Sequence, residues 1–179
     1  GDRQRVVARG DDRRWQSAER PGRRVMDRPC LAVHRRHADH LGAQIEAVPT
    51  VITFDPHPRA VLYPENAPPL LQTLDQGLAN FEFLGIEQTI VIRFDKEFAG
   101  IDAETFLRDI VYERLQAREV YLGKGFFFGK NRGGNIELLR KMRPELGFFA
   151  DEVPEIRLRG QRISSSKIRE LLKEGKVNL

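Results

Sequence analysis

From Val48 to the end of the chain, apolar positions follow two alternating periods. The run from Val48 to Phe54 is β-branched and apolar and is closed by Asp55-Pro56-His57-Pro58, the pattern of a buried strand stopped at its C-terminal end. Ala67-Pro68-Pro69 predicts a loop. Leu74, Leu78, Phe81 and Leu84 then share a helix face that begins after Thr73, with Gly77 weakening that helix by about 1 kcal/mol relative to Ala. Thr89 to Phe94 predicts a second strand. Asp102 can cap a helix that turns Phe106, Leu107, Ile110, Val111 and Leu115 inward, and Val120 to Leu122 predicts a third strand. A glycine-rich stretch from Gly123 to Gly134, with three consecutive phenylalanines, leads into a helix through Ile136, Leu138, Leu139 and Met142. Phe148 to Leu158 reads as loop and strand. A last helix carries Ile168, Leu171 and Leu172 on one face and stops at Gly175.

Strand and helix therefore alternate, which predicts an α/β fold: a parallel sheet with helices on both faces and a site in the crevice at the carboxyl ends of the strands. The polar and glycine-rich pieces fall after strands, where such a site lies. Residues 1–47 differ. Only the short apolar pieces Val6-Val7-Ala8 and Cys30-Leu31-Ala32-Val33 occur there, no window carries a helix or strand period, and the composition is that of a disordered basic arm. His34, His37 and His40 recur every three residues and on a helix would span about 120°, but no strong helix surrounds them and no carboxylate completes a metal site.

Composition narrows the function classes. At 179 residues and 40% apolar, the chain fits one domain with a real core. No apolar run is long enough to span a membrane, and no apolar segment marks a secretory signal. Cys30 is the only cysteine, so no internal disulfide forms and a cytoplasmic location is expected. The net charge of +4 suggests a nucleic-acid partner, yet residues 1–50 hold 11 arginines against 7 acidic residues, and the remaining 129 are balanced. A nucleic-acid binder carries its basic footprint on the folded domain, so that class is not expected. The first residue is Gly1 rather than Met, as in a piece of a longer protein or an edited sequence.

Three stretches carry candidate chemistry. Phe54-Asp55-Pro56-His57-Pro58 is stiff, because each proline fixes its own φ and restricts the residue before it. It is either a rigid strand exit with a solvated histidine or a wall that holds a flat ligand. In Gly123-Lys124-Gly125-Phe126-Phe127-Phe128-Gly129, glycines permit close backbone approach and aromatic rings offer a stacking surface; alternatively, Phe126 and Phe128, on one side of an extended segment, seal the core while Phe127 points away. No G-K-[ST] follows, so this is not a Walker loop. Ser164, Ser165 and Ser166 precede the last helix, with Arg169 in its first turns. They form an ordinary serine-capped surface helix or an anion site at a helix start.

The last stretch, Ile163-Ser164-Ser165-Ser166-Lys167-Ile168-Arg169, resembles the I-S-S-T-x-I-R signature of the HxGH nucleotidyltransferases, with Ser166 keeping the threonine hydroxyl. Taken with T-F-D-P-H-P, R-F-D-x-x-F-A at Arg93 to Ala99 and a G-x-[DN]-F-x-F-G-x4-G loop at Gly123 to Gly134, all in order, the chain resembles the FMN adenylyltransferase module of bacterial bifunctional riboflavin kinase/FAD synthetases over residues 48–179. The resemblance implies a Rossmann-like nucleotidyltransferase domain that converts FMN and ATP, with Mg²⁺, to FAD and pyrophosphate. It implies that Phe54, Pro56, His57, Pro58, Gly123, Phe126, Phe128 and Gly129 border the flavin, and that Ser164, Ser165, Ser166 and Arg169 hold ATP phosphates. It also implies a riboflavin kinase domain as the usual fusion partner, which this chain is expected to lack.

Two departures stand out. The loop's Asp or Asn position is Gly125, which removes a side-chain hydrogen bond of about 0.5–1.5 kcal/mol. The family opens with a strand and G-x-F-D-G-V-H-x-G-H, of which only Val33-His34-Arg35-Arg36-His37 remains, with Pro29-Cys30-Leu31-Ala32 where F-D-G belongs and the preceding strand missing. His34 and His37 are the expected catalytic helpers. An alternative function is a catalytically inactive flavin- or nucleotide-binding remnant. Residues 1–47, rich in arginine and free of lysine, are expected to be read partly out of frame or to come from an edited gene; coding DNA with no alternative frame for G-x-F-D-G-x-H-x-G-H across residues 10–45 would exclude this.

Overall fold

The computed structural model describes residues 6–11, 14–17, 30–32 and 47–176. Strands β1 (Val6–Asp11), β2 (Arg14–Ser17), β3 (Cys30–Ala32), β4 (Val48–Asp55), β5 (Gln88–Arg93), β6 (Glu119–Gly123) and β7 (Phe149–Val153) form one sheet in the order β2-β1-β5-β4-β3-β6-β7. Neighbours are parallel except β1 and β2. From β3 the chain builds outward through β4 to β5 on one side, then through β6 to β7 on the other. The strand order reverses at β3, so a crevice forms outside its carboxyl end.

The helices are α1 (Pro58–Leu62), α2 (Leu74–Phe83), α3 (Lys96–Ala99), α4 (Ala103–Thr105, continuing as the π-helix Phe106–Arg114), α5 (Ile136–Leu146) and α6 (Ser165–Lys173). A small hairpin, β8 (Arg157–Leu158) with β9 (Gln161–Arg162), precedes α6. The expected caps are present. Thr73 forms a reciprocal capping box with Gln76, and Asp102 accepts from both the Thr105 backbone N–H and its hydroxyl.

Pairing of Ile52 with Ile90, Phe54 with Ile92 and Val120 with Ala150 puts these residues on one sheet face. Leu107 and Val111 of α4 and Leu139, Met142 and Leu146 of α5 cover part of that face, and Ile110 and Leu115 pack on Ile90 and Ile92. On the other face Phe81 of α2 packs with Val51, Ile86 and Tyr121. Helices therefore lie on both faces, as expected. Each fully buried apolar side chain, such as Leu107, Leu139 or Phe148, contributes about 1.5–3 kcal/mol. No helix among the described residues is long and apolar enough to cross a membrane.

One expectation fails. The sequence pattern predicts no regular element before Val48 and a missing strand ahead of Val33-His34. The structure instead has β1, β2 and β3 there, and β3 is hydrogen-bonded between β4 and β6. Three residues carry no period of their own, and the ladder partners on both sides fix β3 as a strand. The short apolar pieces around Val6 and Cys30 were the only local trace of these pairings.

Candidate active site

β4 leaves the sheet at Asp55, whose carbonyl accepts from Phe94 N–H at 3.0 Å, so the β4–β5 ladder continues one step into the turn. His57 caps α1: its Nδ1 accepts from the Arg59 backbone N–H at 3.2 Å. In the neutral ring the proton is therefore on Nε2. Burial, reinforced by the positive charges of Arg169 and Arg59, lowers the His57 pKa from its ordinary value and favours that neutral form.

A continuous series of ring contacts runs from this turn to the glycine-rich loop. Phe54 meets Phe94 at 5.6 Å and Phe98 at 5.9 Å between centroids; Phe98 meets Phe106 at 6.3 Å, and Phe106 meets Phe128 at 5.6 Å. Such pairs contribute about 0.5–1.5 kcal/mol each beyond burial. Asp95 caps α3 through the Phe98 N–H at 2.8 Å. Arg93 to Ala99 thus supplies the packing that fixes the β4 exit.

The loop is pinned at both ends. Phe128 and Gly134 exchange backbone hydrogen bonds of 3.0 and 2.9 Å, and Lys130 N–H donates to the Ile101 carbonyl at 2.8 Å. Gly129 has φ +71°, and a Cβ there would lie 2.7 Å from the Ala103 backbone. At its start, Phe126 N–H closes a turn onto the Gly123 carbonyl, and Gly125, at φ +72°, donates its N–H to Glu152 Oε1 at 3.1 Å. Phe126 is 48% exposed, Phe128 is half-buried, and Phe127 lies outside under Arg132, whose guanidinium is 4.5 Å from the ring centroid. The expected alternation holds only at Phe128, since Phe126 is as exposed as Phe127. Phe128 closes the core while Phe126 stays at its edge.

Residues of β4, β6, α4 and the glycine-rich loop line an apolar cavity of about 220 Å³, among them Phe54, Phe106, Leu122, Gly123, Phe126 and Phe128.

The last helix carries the three serines and Arg169. Ser164 caps α6, its hydroxyl accepting from Lys167 N–H at 3.2 Å, while Ile168 N–H bonds the Ser164 carbonyl. Among the described residues the N–H groups and hydroxyls of Ser165 and Ser166 have no partner, so the positive end of the helix faces solvent. Lys167 is paired with Glu170 at 2.8 Å. Arg169 donates Nε–H to the Pro69 carbonyl at 2.7 Å and lies close enough to His57 to depress its pKa. The Arg169 bond to Pro69 thus joins α6 to the segment that follows α1, and the charge of Arg169 acts on the His57 imidazole.

The FAD synthetase family model matches residues 34–167. The chain belongs to the FAD synthetase family. It is 31% identical over 153 residues to the bifunctional riboflavin kinase/FMN adenylyltransferase of Escherichia coli K12, covering 82% of this chain and 49% of that protein. It is 29% identical over 140 residues to the protein of that name from Buchnera aphidicola subsp. Schizaphis graminum, covering 78% and 45%. It is 34% identical over 144 residues to a putative one from Geobacillus thermodenitrificans, covering 78% and 73%. The chain spans about half the length of most of these curated relatives. A solved structure described as a macrolide-efflux protein from Streptococcus pneumoniae shares the fold, with a TM-score of 0.70 at 18% identity over 84% of this chain and 54% of that one.

In this FAD synthetase family chain, Phe54, Gly123, Phe126 and Phe128 line one cavity, and the positive charge of Arg169 acts on His57. Pro56 and Pro58 flank His57 in the turn, and Gly129 sits against Ala103 beneath the loop. His34, His37 and His40 lie outside the described residues. The family match nevertheless begins at His34, upstream of Val48, and ends two residues short of Arg169. Sequence reasoning missed Glu152 and Pro69. A carboxylate near the C-terminal end of a parallel strand was a usable signal for Glu152; nothing local marked the Pro69 carbonyl.

Proposed function

We propose that this chain transfers AMP from ATP to FMN, giving FAD and pyrophosphate. An FMN phosphate oxygen attacks the α-phosphorus of ATP, and the bond from that phosphorus to the bridging oxygen breaks with pyrophosphate as leaving group. The observation that supports the reading is the aromatic cavity at the carboxyl ends of the strands, together with the Arg169–Pro69 bond that ties α6 to the segment following the His57 turn. The flavin ring occupies the cavity against Phe54, Phe126 and Phe128. The free N–H groups of Ser165 and Ser166 and the Arg169 terminal nitrogens hold the departing phosphates, where negative charge accumulates. Neutral His57 offers Nε2–H as a donor to a phosphate oxygen.

Magnesium enters on the ATP phosphates. Among the described residues no group of three or more carboxylates, histidines or cysteines is placed to hold a metal. His34 and His37, inside the matched region, are further candidates for phosphate contact.

Purified protein incubated with FMN, ATP and Mg²⁺, then scored for FAD by chromatography, tests the reading. FAD that disappears with Arg169→Ala is the expected result. Folded protein that binds FMN and ATP but forms no FAD would instead establish the inactive binding remnant.

A further inference from the structure

Gly125 is the weakest point of the flavin-side loop. Its backbone is left-handed, it has no side chain to hold that conformation, and a Cβ there would meet nothing within 4 Å. Glycine in such a turn has the most conformational freedom to lose. The bond holding it comes from the neighbouring strand: Glu152, paired with Leu122 near the carboxyl end of β7, reaches across to accept the Gly125 N–H. Glu152 is itself fixed, since its backbone N–H donates to Asp151 Oδ1 at 2.8 Å and Asp151 meets Arg140 of α5 at 3.4 Å. Lys124 N–H, bonded to the Val153 carbonyl, aligns the two strand exits.

We propose that Glu152 is a positioning residue for the flavin: its carboxylate replaces, from the adjacent strand, the side chain the loop lacks at position 125, and so sets where Phe126 stands at the cavity mouth. This rests on the flavin reading of the cavity. A charge-assisted hydrogen bond to a backbone N–H is among the stronger ones available, and a loop ordered before the ligand arrives costs less affinity on binding. The role is confined to flavin, because the helix start and Arg169 that face the nucleotide have no bond to Glu152 among the described residues.

The test compares the wild type with Glu152→Ala, Glu152→Gln and Glu152→Ala/Gly125→Asn, measuring FMN binding by flavin fluorescence, KM for each substrate and kcat. Amide exchange at Gly125 is read in parallel by NMR. Glu152→Ala is expected to weaken FMN binding about tenfold, to leave KM for ATP unchanged and to speed exchange at Gly125. Glu152→Gln keeps an acceptor oxygen and retains most of the affinity. Asparagine at 125 tolerates the left-handed backbone and supplies its own local hydrogen bond, so the double variant recovers FMN affinity. Unchanged FMN affinity and Gly125 exchange in Glu152→Ala would overturn the proposal, as would an equal rise in KM for ATP. A wild type that binds no FMN would overturn the flavin reading itself, and this inference with it.

Discussion

Arg169 and Pro69 are 100 residues apart in the chain and 2.7 Å apart in space, through a hydrogen bond from the guanidinium Nε to the proline carbonyl. The bond ties α6 to the loop that follows α1, and commits only Nε of Arg169, not its terminal nitrogens. Only a planar, forked cation can hold that carbonyl and keep donors for a phosphate at once. Arg169→Lys keeps the charge but cannot hold the carbonyl and a phosphate in the same geometry. The expected outcome is a fall in kcat for FAD formation of roughly 10²-fold with folding intact. A lysine variant with wild-type kcat would show that charge alone suffices.

His57 reports on the same junction. Its pKa is lowered by burial, by Arg169 and by Arg59, in that order. A histidine whose folded pKa lies below its unfolded value of about 6.5 binds fewer protons folded than unfolded in the interval between the two. Its contribution to stability is therefore present above about pH 6.5 and lost as the pH falls through the folded value. An NMR titration of the His57 ring is expected to give a midpoint below 6.5 that rises in Arg169→Ala and rises again when ATP phosphates occupy the site. A midpoint that does not move in Arg169→Ala would contradict this placement of Arg169.

Three adjacent serines are expected to separate by role. Ser164 is the helix cap, so Ser164→Ala should lower stability by about 1 kcal/mol in urea denaturation. Ser166 has an exposed hydroxyl with no partner among the described residues, so Ser166→Ala should leave the unfolding midpoint in place and raise KM for ATP. Equal effects of both substitutions on both measurements would remove the distinction.

Asp102 and Ser164 were legible as caps, and Thr73 as the residue before a helix, because a cap is a local hydrogen bond within three residues, and the runs around Val48, Thr89 and Val120 were legible because a buried strand shows its apolar face in sequence. Strand alternation correctly put Phe128 inward and Phe127 outward, but not Phe126, which a turn leaves exposed. β3 was not legible, since three residues hold no period and its partners, β4 and β6, are far along the chain. Contacts between Glu152 and Gly125, or Arg169 and Pro69, arise only when parallel strands set distant exits side by side. The site was thus readable as separate motifs, and its connections were not.

Those connections also predict an order among glycine substitutions in the loop. At Gly129 an added Cβ meets the Ala103 backbone at 2.7 Å, which a side-chain rotation cannot relieve, and the residue also stands at φ +71°. At Gly134 the added atom would lie 2.5 Å from the Phe128 ring, which is held against Phe106. At Gly125 the backbone is equally left-handed, but the surrounding space is empty. A left-handed non-glycine residue costs about 1–2 kcal/mol, and overpacking adds typically 1–3 kcal/mol. Gly129→Ala, which incurs both, is expected to destabilise more than Gly125→Ala, which incurs only the first. Gly134→Ala separates the two effects, because its loss of stability is purely steric and should shrink when Phe128→Leu makes room. Urea unfolding of the four variants checks the order, and a Gly125→Ala more damaging than Gly129→Ala would mean that the loop is not pinned on Ala103.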